Sequence, residues 1–189
     1  MTGSQQKEVG SVQNSLEIVP GIGLGPYRIG MPVAEVLLQI SPRDSANSAL
    51  VTSRCISYHD IGRCIHVNVD IRIGLCFQIV ARAGFSGKTS QGIQLNMKSS
   101  EALRLDDSLY LDEFYGTLES KNFPGYYLEL DDPDPLPGNF EHLSIVGIGV
   151  ANASFSQELE IKDLANIEEA NELRKRMFEY YLRAKDPTY

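Results

Sequence analysis

Hydrophobic residues follow two different periods along the chain. In RCISYHDIGRCIHVNVDIRI, residues 54–73, Ile56, Tyr58, Ile65, Val67 and Val69 are each flanked by polar positions. A period of two puts them on one face of extended strands and their neighbours on the other. A two-residue turn at Ile61-Gly62 would set Asp60 opposite Arg63, His59 opposite Cys64, Ser57 opposite His66 and Cys55 opposite Asn68. The product is an antiparallel hairpin with one apolar and one polar face. Further strands are predicted at LEIV (16–19), GLCFQIVA (74–81), GYYLELD (125–131) and, with glycine bends, HLSIVGIGVANASF (142–155).

Elsewhere the apolar spacing is three or four. MPVAEVLLQI, residues 31–40, carries Val33, Val36, Leu37 and Ile40 on one helical face, with Pro32 in its first turn and Ser41-Pro42 ending it. MKSSEALRL, residues 97–105, predicts a second helix, followed by the acidic segment DDSLYLDEFYG. The longest periodic run is 163–185, where Leu164, Ile167, Ala170, Leu173, Met177 and Tyr181 form one stripe on a helix about 34 Å long. The expected architecture is α+β: a mostly antiparallel sheet from two related helix–strand units, with the long C-terminal helix packed on it.

The relation between the units is visible in the sequence. Shifted by 66 residues, YRIGMPVAEVL falls on IQLNMKSSEAL, matching Gly30 with Asn96, Met31 with Met97, Glu35 with Glu101 and Leu37 with Leu103. Gly and Asn are the residues that most readily take positive φ, so both copies predict a left-handed turn before a helix. The units are expected at about 16–82 and 83–155 of one domain spanning 16–189, after a polar, disordered tail at 1–15. This helix-then-strands phrase resembles the domains of β-lactamase-inhibitor protein and the outer-membrane-assembly lipoproteins. That resemblance implies a binding module rather than an enzyme.

Composition narrows the function classes. The chain has 189 residues, 42% hydrophobic and 22% charged, and a net charge of −8. A nucleic-acid surface needs clustered Lys and Arg, which this balance opposes. No apolar run reaches the roughly 18 residues of a membrane span, and residues 1–15 show no basic-then-apolar leader, so a cytoplasmic location is expected. Three cysteines, an odd number, do not suggest a disulfide framework.

The glycine-rich PGIGLG, residues 20–25, is not a dinucleotide loop, because Pro26 stands where the third glycine belongs. RAGFSGKT, residues 82–89, lacks the leading glycine of a phosphate loop and reads as a surface loop. No cofactor is expected. The polar side of the 54–73 hairpin offers His59, Cys64, His66 and Cys55 as candidate zinc ligands or a thiol centre, although the C-x3-H and C-x-H spacings are not zinc knuckles. A metal- or thiol-dependent enzyme built on that hairpin is one alternative, and a small-ligand-binding adaptor is another. The leading expectation is a bacterial immunity-type protein that neutralises a basic toxin or effector by direct binding. Asp131, Asp132 and Asp134, then Asp106 and Asp107, are its candidate contacts.

Overall fold

The computed structural model describes residues 16–40, the backbone of 49–52, and residues 55–152. Among the described residues the first elements are three two-residue strands, β1 (Ile18–Val19), β2 (Gly23–Leu24) and β3 (Tyr27–Arg28), paired antiparallel in that order. Helix α1 (Val33–Gln39) follows, and then the meander β4 (Ala49–Thr52), β5 (Cys55–Asp60), β6 (Ile65–Asp70) and β7 (Leu75–Ala81). After helix α2 (Ser99–Leu105) comes a second meander, β8 (Leu109–Asp112), β9 (Thr117–Ser120), β10 (Tyr126–Leu130) and β11 (Ile145–Ala151). The two meanders join through β7 and β11 into one antiparallel sheet of order β4-β5-β6-β7-β11-β10-β9-β8.

The α+β expectation is therefore corrected: the described chain is mostly β, and its only helices are two of seven residues each. The reason lies in 106–120, of which 106–116 was expected to be an acidic segment and 117–120 was given no element. There Leu109, Leu111 and Leu118 alternate with polar residues, and β8 and β9 pair as a hairpin. The long helix expected at 163–185 lies outside the described residues.

One face of the sheet carries the core. Ile56, Tyr58, Ile65, Val67, Val69 and Ile79 from the first meander join Leu118, Tyr126, Leu128, Ile148 and Val150 from the second in a single buried cluster. Ile18, Leu24 and Tyr27 from the small sheet, Val36 and Leu37 from α1, and Ala102 from α2 complete it. At about 25 cal/mol per Å² of apolar surface removed from water, such burial is the main stabilising term.

The two helices are held alike. Gly30 (φ 80°) and Asn96 (φ 65°) both adopt the left-handed conformation. Gly30 N donates to Cys76 O and Cys76 N donates to Met31 O, while Asn96 N donates to Ile145 O and Ile145 N to Met97 O. Val33 N then donates to Gly74 O, and Ser99 N to Leu143 O. In both places the strand that accepts the helix has an irregular register just beyond, at Asn68/Val69 and at Glu129/Leu130, so Phe77 and Val146 are extra residues.

The 54–73 hairpin is in a different register from the one expected. His59 faces His66, Ser57 faces Asn68 and Cys55 faces Asp70, and the turn spans Ile61, Gly62, Arg63 and Cys64. The pairing has moved by two residues, an even step that leaves every side chain on its expected face. Asp60 explains the longer turn. It is almost fully buried, accepts from Tyr27 OH at 2.7 Å, and receives Arg63 through both the backbone N (3.2 Å) and Nη1 (2.7 Å).

Candidate functional site

The face opposite the core is assembled by strand register. One cross-strand row runs over seven strands: His59, His66, Val80, Gly149, Tyr127, Glu119 and Tyr110. The next row on the second meander holds Gly147, Glu129, Thr117 and Asp112. Directly opposed residues have Cβ atoms about 5 Å apart, so neighbours within each row touch.

The halves of this face differ. Over β5–β7, Cys55, Ser57, Asp70, Phe77 and Val80 are buried, and Cys55 packs with Phe77 in a small apolar cluster of its own. His59 and His66 stack with ring centroids 4.1 Å apart and planes 6° from parallel. Burial, helped by the charges of His59 and Arg82, lowers the His66 pKa to about 4. Burial likewise holds the Cys55 and Cys76 thiols up to about 12, so neither is a thiolate at neutral pH.

Over β8–β11 the face opens into a groove of about 830 Å³, lined among others by Tyr110, Thr117, Glu119, Lys121, Tyr127 and Glu129. Two glycines on β11 let side chains of the neighbouring strands fold over that strand. A Cβ on Gly149 would collide with the Tyr127 ring, and one on Gly147 would collide with the Glu129 carboxylate and the Arg82 guanidinium. Without those side chains, Tyr127 lies flat across the strand, and Arg82 on one side of β11 forms an ion pair with Glu129 on the other. Tyr127 OH accepts from Gln78 Nε2 (2.7 Å), and Gln78 Oε1 accepts from Asn68 Nδ2 (2.6 Å).

Glu119 has no ion pair among the described residues, and Tyr110 OH donates to its Oε2 at a long 3.4 Å. Burial and the charge of Asp112 raise its pKa. Lys121 Nζ sits 5.6 Å from the centroid of the Tyr110 ring, and Thr117 Oγ1 is buried without a hydrogen-bond partner. At the β8–β9 turn Asp112 Oδ1 accepts from the backbone N of Phe114 and Tyr115, presenting Phe114 at 80% exposure.

The residues singled out from sequence fall elsewhere. His59 and His66 are neighbours, but Cys55 lies at the far end of the hairpin opposite Asp70, and Cys64 sits in the turn with its Sγ 3.6 Å from Ile61 O. All three cysteines are free, and no three His, Cys, Asp or Glu side chains are grouped for a metal among the described residues. The aspartates do not form one patch. Asp106 is buried at the end of α2, where Oδ1 accepts from Ser108 N (2.9 Å) and Ser108 Oγ (2.6 Å), while Asp107 beside it is exposed. Asp131, Asp132 and Asp134 are exposed in the β10–β11 connection, where Asp131 Oδ1 accepts from Ser144 N and Asp132 Oδ1 from Asp134 N. The charge of Asp106 is felt by Tyr126 at the start of β10, whereas Asp131 follows its end.

RAGFSGKT is a loop with Ala83, Gly84, Ser86 and Lys88 exposed, but it is anchored to the core. Phe85 and Thr89 are buried, Thr89 Oγ1 accepts from Ile93 N, and Ile18 N donates to Lys88 O. Among the described residues no helix is long and apolar enough to cross a membrane. Tyr110, Thr117 and Glu119 were hidden because the β8–β9 hairpin was not expected, while Tyr127 lies on the expected 125–131 strand without its neighbours being identified. The signal was present in LYLD and TLES, two alternating runs around a glycine-containing turn. Comparison of the chain with protein-family models, with curated proteins and with solved structures finds no match in any of the three.

Proposed function

We propose that this chain is a non-catalytic protein-binding module of the immunity type, neutralising a basic toxin or effector domain by direct contact. The observation that carries this reading is the groove on the second face, flanked by the hairpin that displays Phe114. Exposed aromatics beside a concave surface are the usual anchors of protein interfaces, and an acidic chain steers a basic partner towards them. The groove brings together no nucleophile, base and oxyanion donor, as acyl or phosphoryl transfer would need. The contact surface favoured by the geometry is the β8–β10 end of the sheet, with the exposed aspartates contributing long-range attraction.

The test is co-expression with the product of the adjoining coding region, followed by co-purification. The reading expects a stable complex that Phe114→Ala weakens by roughly tenfold or more, as an interface anchor does. Charge reversal at Asp131, Asp132 and Asp134 should chiefly slow association and reduce its salt dependence. A complex indifferent to Phe114 but lost on reversing those aspartates would move the contact to the β10–β11 connection.

A further inference from the structure

We propose that the outer edge of β8 is a docking site for an extended basic segment of the protein partner, which joins the sheet as a further antiparallel strand. This rests on the binding-module reading and names how the partner is held. β8 ends the strand order of the large sheet, so one side of it pairs with β9 and the other with no strand among the described residues. The ladder fixes which backbone groups face that open side. Lys121 N donates to Ser108 O at one end of the hairpin, and Gly116 N to Asp112 O at the other. Hydrogen-bonded positions of an antiparallel pair recur at every second residue, so Tyr110 and Asp112 turn their backbone groups towards β9. Leu111 therefore turns its N–H and C=O outwards, and Leu109 its C=O, while Leu109 N donates to Asp106 O. Unpaired groups aligned on a regular edge are a template for another chain. β8 has neither Pro nor Lys and no register shift, whereas β4 at the opposite edge is interrupted between Leu50 and Thr52.

Side chains decide the occupant. Leu109 belongs to the core and Leu111 packs partly against it, while Tyr110 and Asp112 stand on the other face. A strand laid along β8 therefore extends the core with every second side chain, which has to be apolar, and sets the others beside Tyr110 and Asp112. From 106 to 120 the chain carries Asp106, Asp107, Asp112, Glu113 and Glu119 and neither Lys nor Arg. Exposed Asp132 and Asp134 lie near the hairpin turn, because a Cβ on Gly116 would collide with Pro133 O between them. Lys121 stands over the Tyr110 ring, so the strongest place for an incoming cation is opposite Asp112. A second copy of this chain fits badly, since pairing two β8 strands sets acidic residues against acidic residues. A segment that alternates basic and apolar residues meets both demands.

The probe is the peptide acetyl-Lys-Val-Lys-Val-Lys-Val-amide, titrated into the full chain and followed by NMR. It should shift the Leu111 amide and slow its exchange with solvent. In antiparallel pairing the peptide residue opposite Leu111 shares its face and returns its hydrogen bonds, so that residue is a valine. N-methylation of the valines should abolish binding and N-methylation of the lysines should spare it; any other pattern overturns the proposal. Asp112→Asn combined with Glu113→Gln removes charge but keeps the oxygen that accepts from Phe114 N and Tyr115 N. It should weaken binding by roughly fivefold. Leu111→Pro deletes the outward N–H without removing a bond to β9, and should weaken binding by roughly tenfold. Equal binding of a peptide with Glu in place of Lys, shifts centred on Gln78 and Tyr127, or a free chain already dimeric through β8 would overturn it. Co-purification separates the two levels. A partner retained equally by wild type, Leu111→Pro and the double variant would refute the edge site and leave the binding module standing. Peptide bound at β8, with no protein partner recovered, would do the reverse.

Discussion

His66 shows how one residue's burial becomes a property of the whole chain. Its pKa falls to about 4 from an ordinary 6.5, chiefly by burial and then by His59 and Arg82. Between those values the unfolded chain binds more protons than the folded one, so stability should fall as pH drops from about 6.5 towards 4. Exposure of the ring to water will soften the loss. The stability difference between wild type and His66→Gln, measured by urea unfolding at several pH values, should change across this window; a constant difference would contradict the account. Gly149 supplies a second residue-scale prediction. Gly149→Ala should cost about 1–3 kcal/mol, the usual range for overpacking, and should displace the Tyr127 ring from its hydrogen bond with Gln78. Thermal unfolding with the tyrosine side-chain NMR signal would check both parts. Such effects were not legible in the sequence. Asp60 illustrates why: it looks like a surface charge until Tyr27, 33 residues away in sequence, arrives from the fold to hydrogen-bond it. What could be read was backbone chemistry, because Gly30 and Asn96 announce positive φ by residue type alone.

At the scale of elements, the same two positions give a paired prediction. Asn96→Gly should be neutral or slightly stabilising, whereas Asn96→Val should cost about 1–2 kcal/mol, since a β-branched residue resists φ 65°. Urea midpoints of the two variants test this, and equal midpoints would argue against a left-handed turn ahead of α2. Helix α1 was readable because Val33, Val36, Leu37 and Ile40 recur at helical spacing and Pro32 marks the start. The 54–73 hairpin was readable by face but not by register, since period two is indifferent to a shift of two residues. Asp60 and Arg63 decide it by closing a four-residue turn. The hairpin of β8 and β9 was hidden by composition: its outward residues include Asp112 and Glu119, and acidic side chains imitate a loop.

For the whole molecule, the decisive feature is the seam where β7 and β11 pair, Ile148 with Ala81 and Val150 with Ile79. One buried cluster crosses this seam, so the two meanders should unfold together. Ile148→Ala should cost about 2–5 kcal/mol while far-UV circular dichroism and tyrosine fluorescence still report one coincident transition. Two separate transitions would mean that each meander stands alone. The seam also brings Gln78 beside Tyr127, so the first meander contributes to a groove otherwise lined by the second. The sequence could suggest that the units are related, but not which strands would meet, because strand order depends on non-local pairing. The central claim is that this joined face, at its β8–β10 end, is where a protein partner binds. Amide hydrogen exchange of the co-purified complex measures that directly. The account predicts slowed exchange on complex formation at Tyr110, Phe114, Thr117–Ser120 and Tyr127. Protection confined to the 131–144 connection, with those amides unchanged, would contradict it.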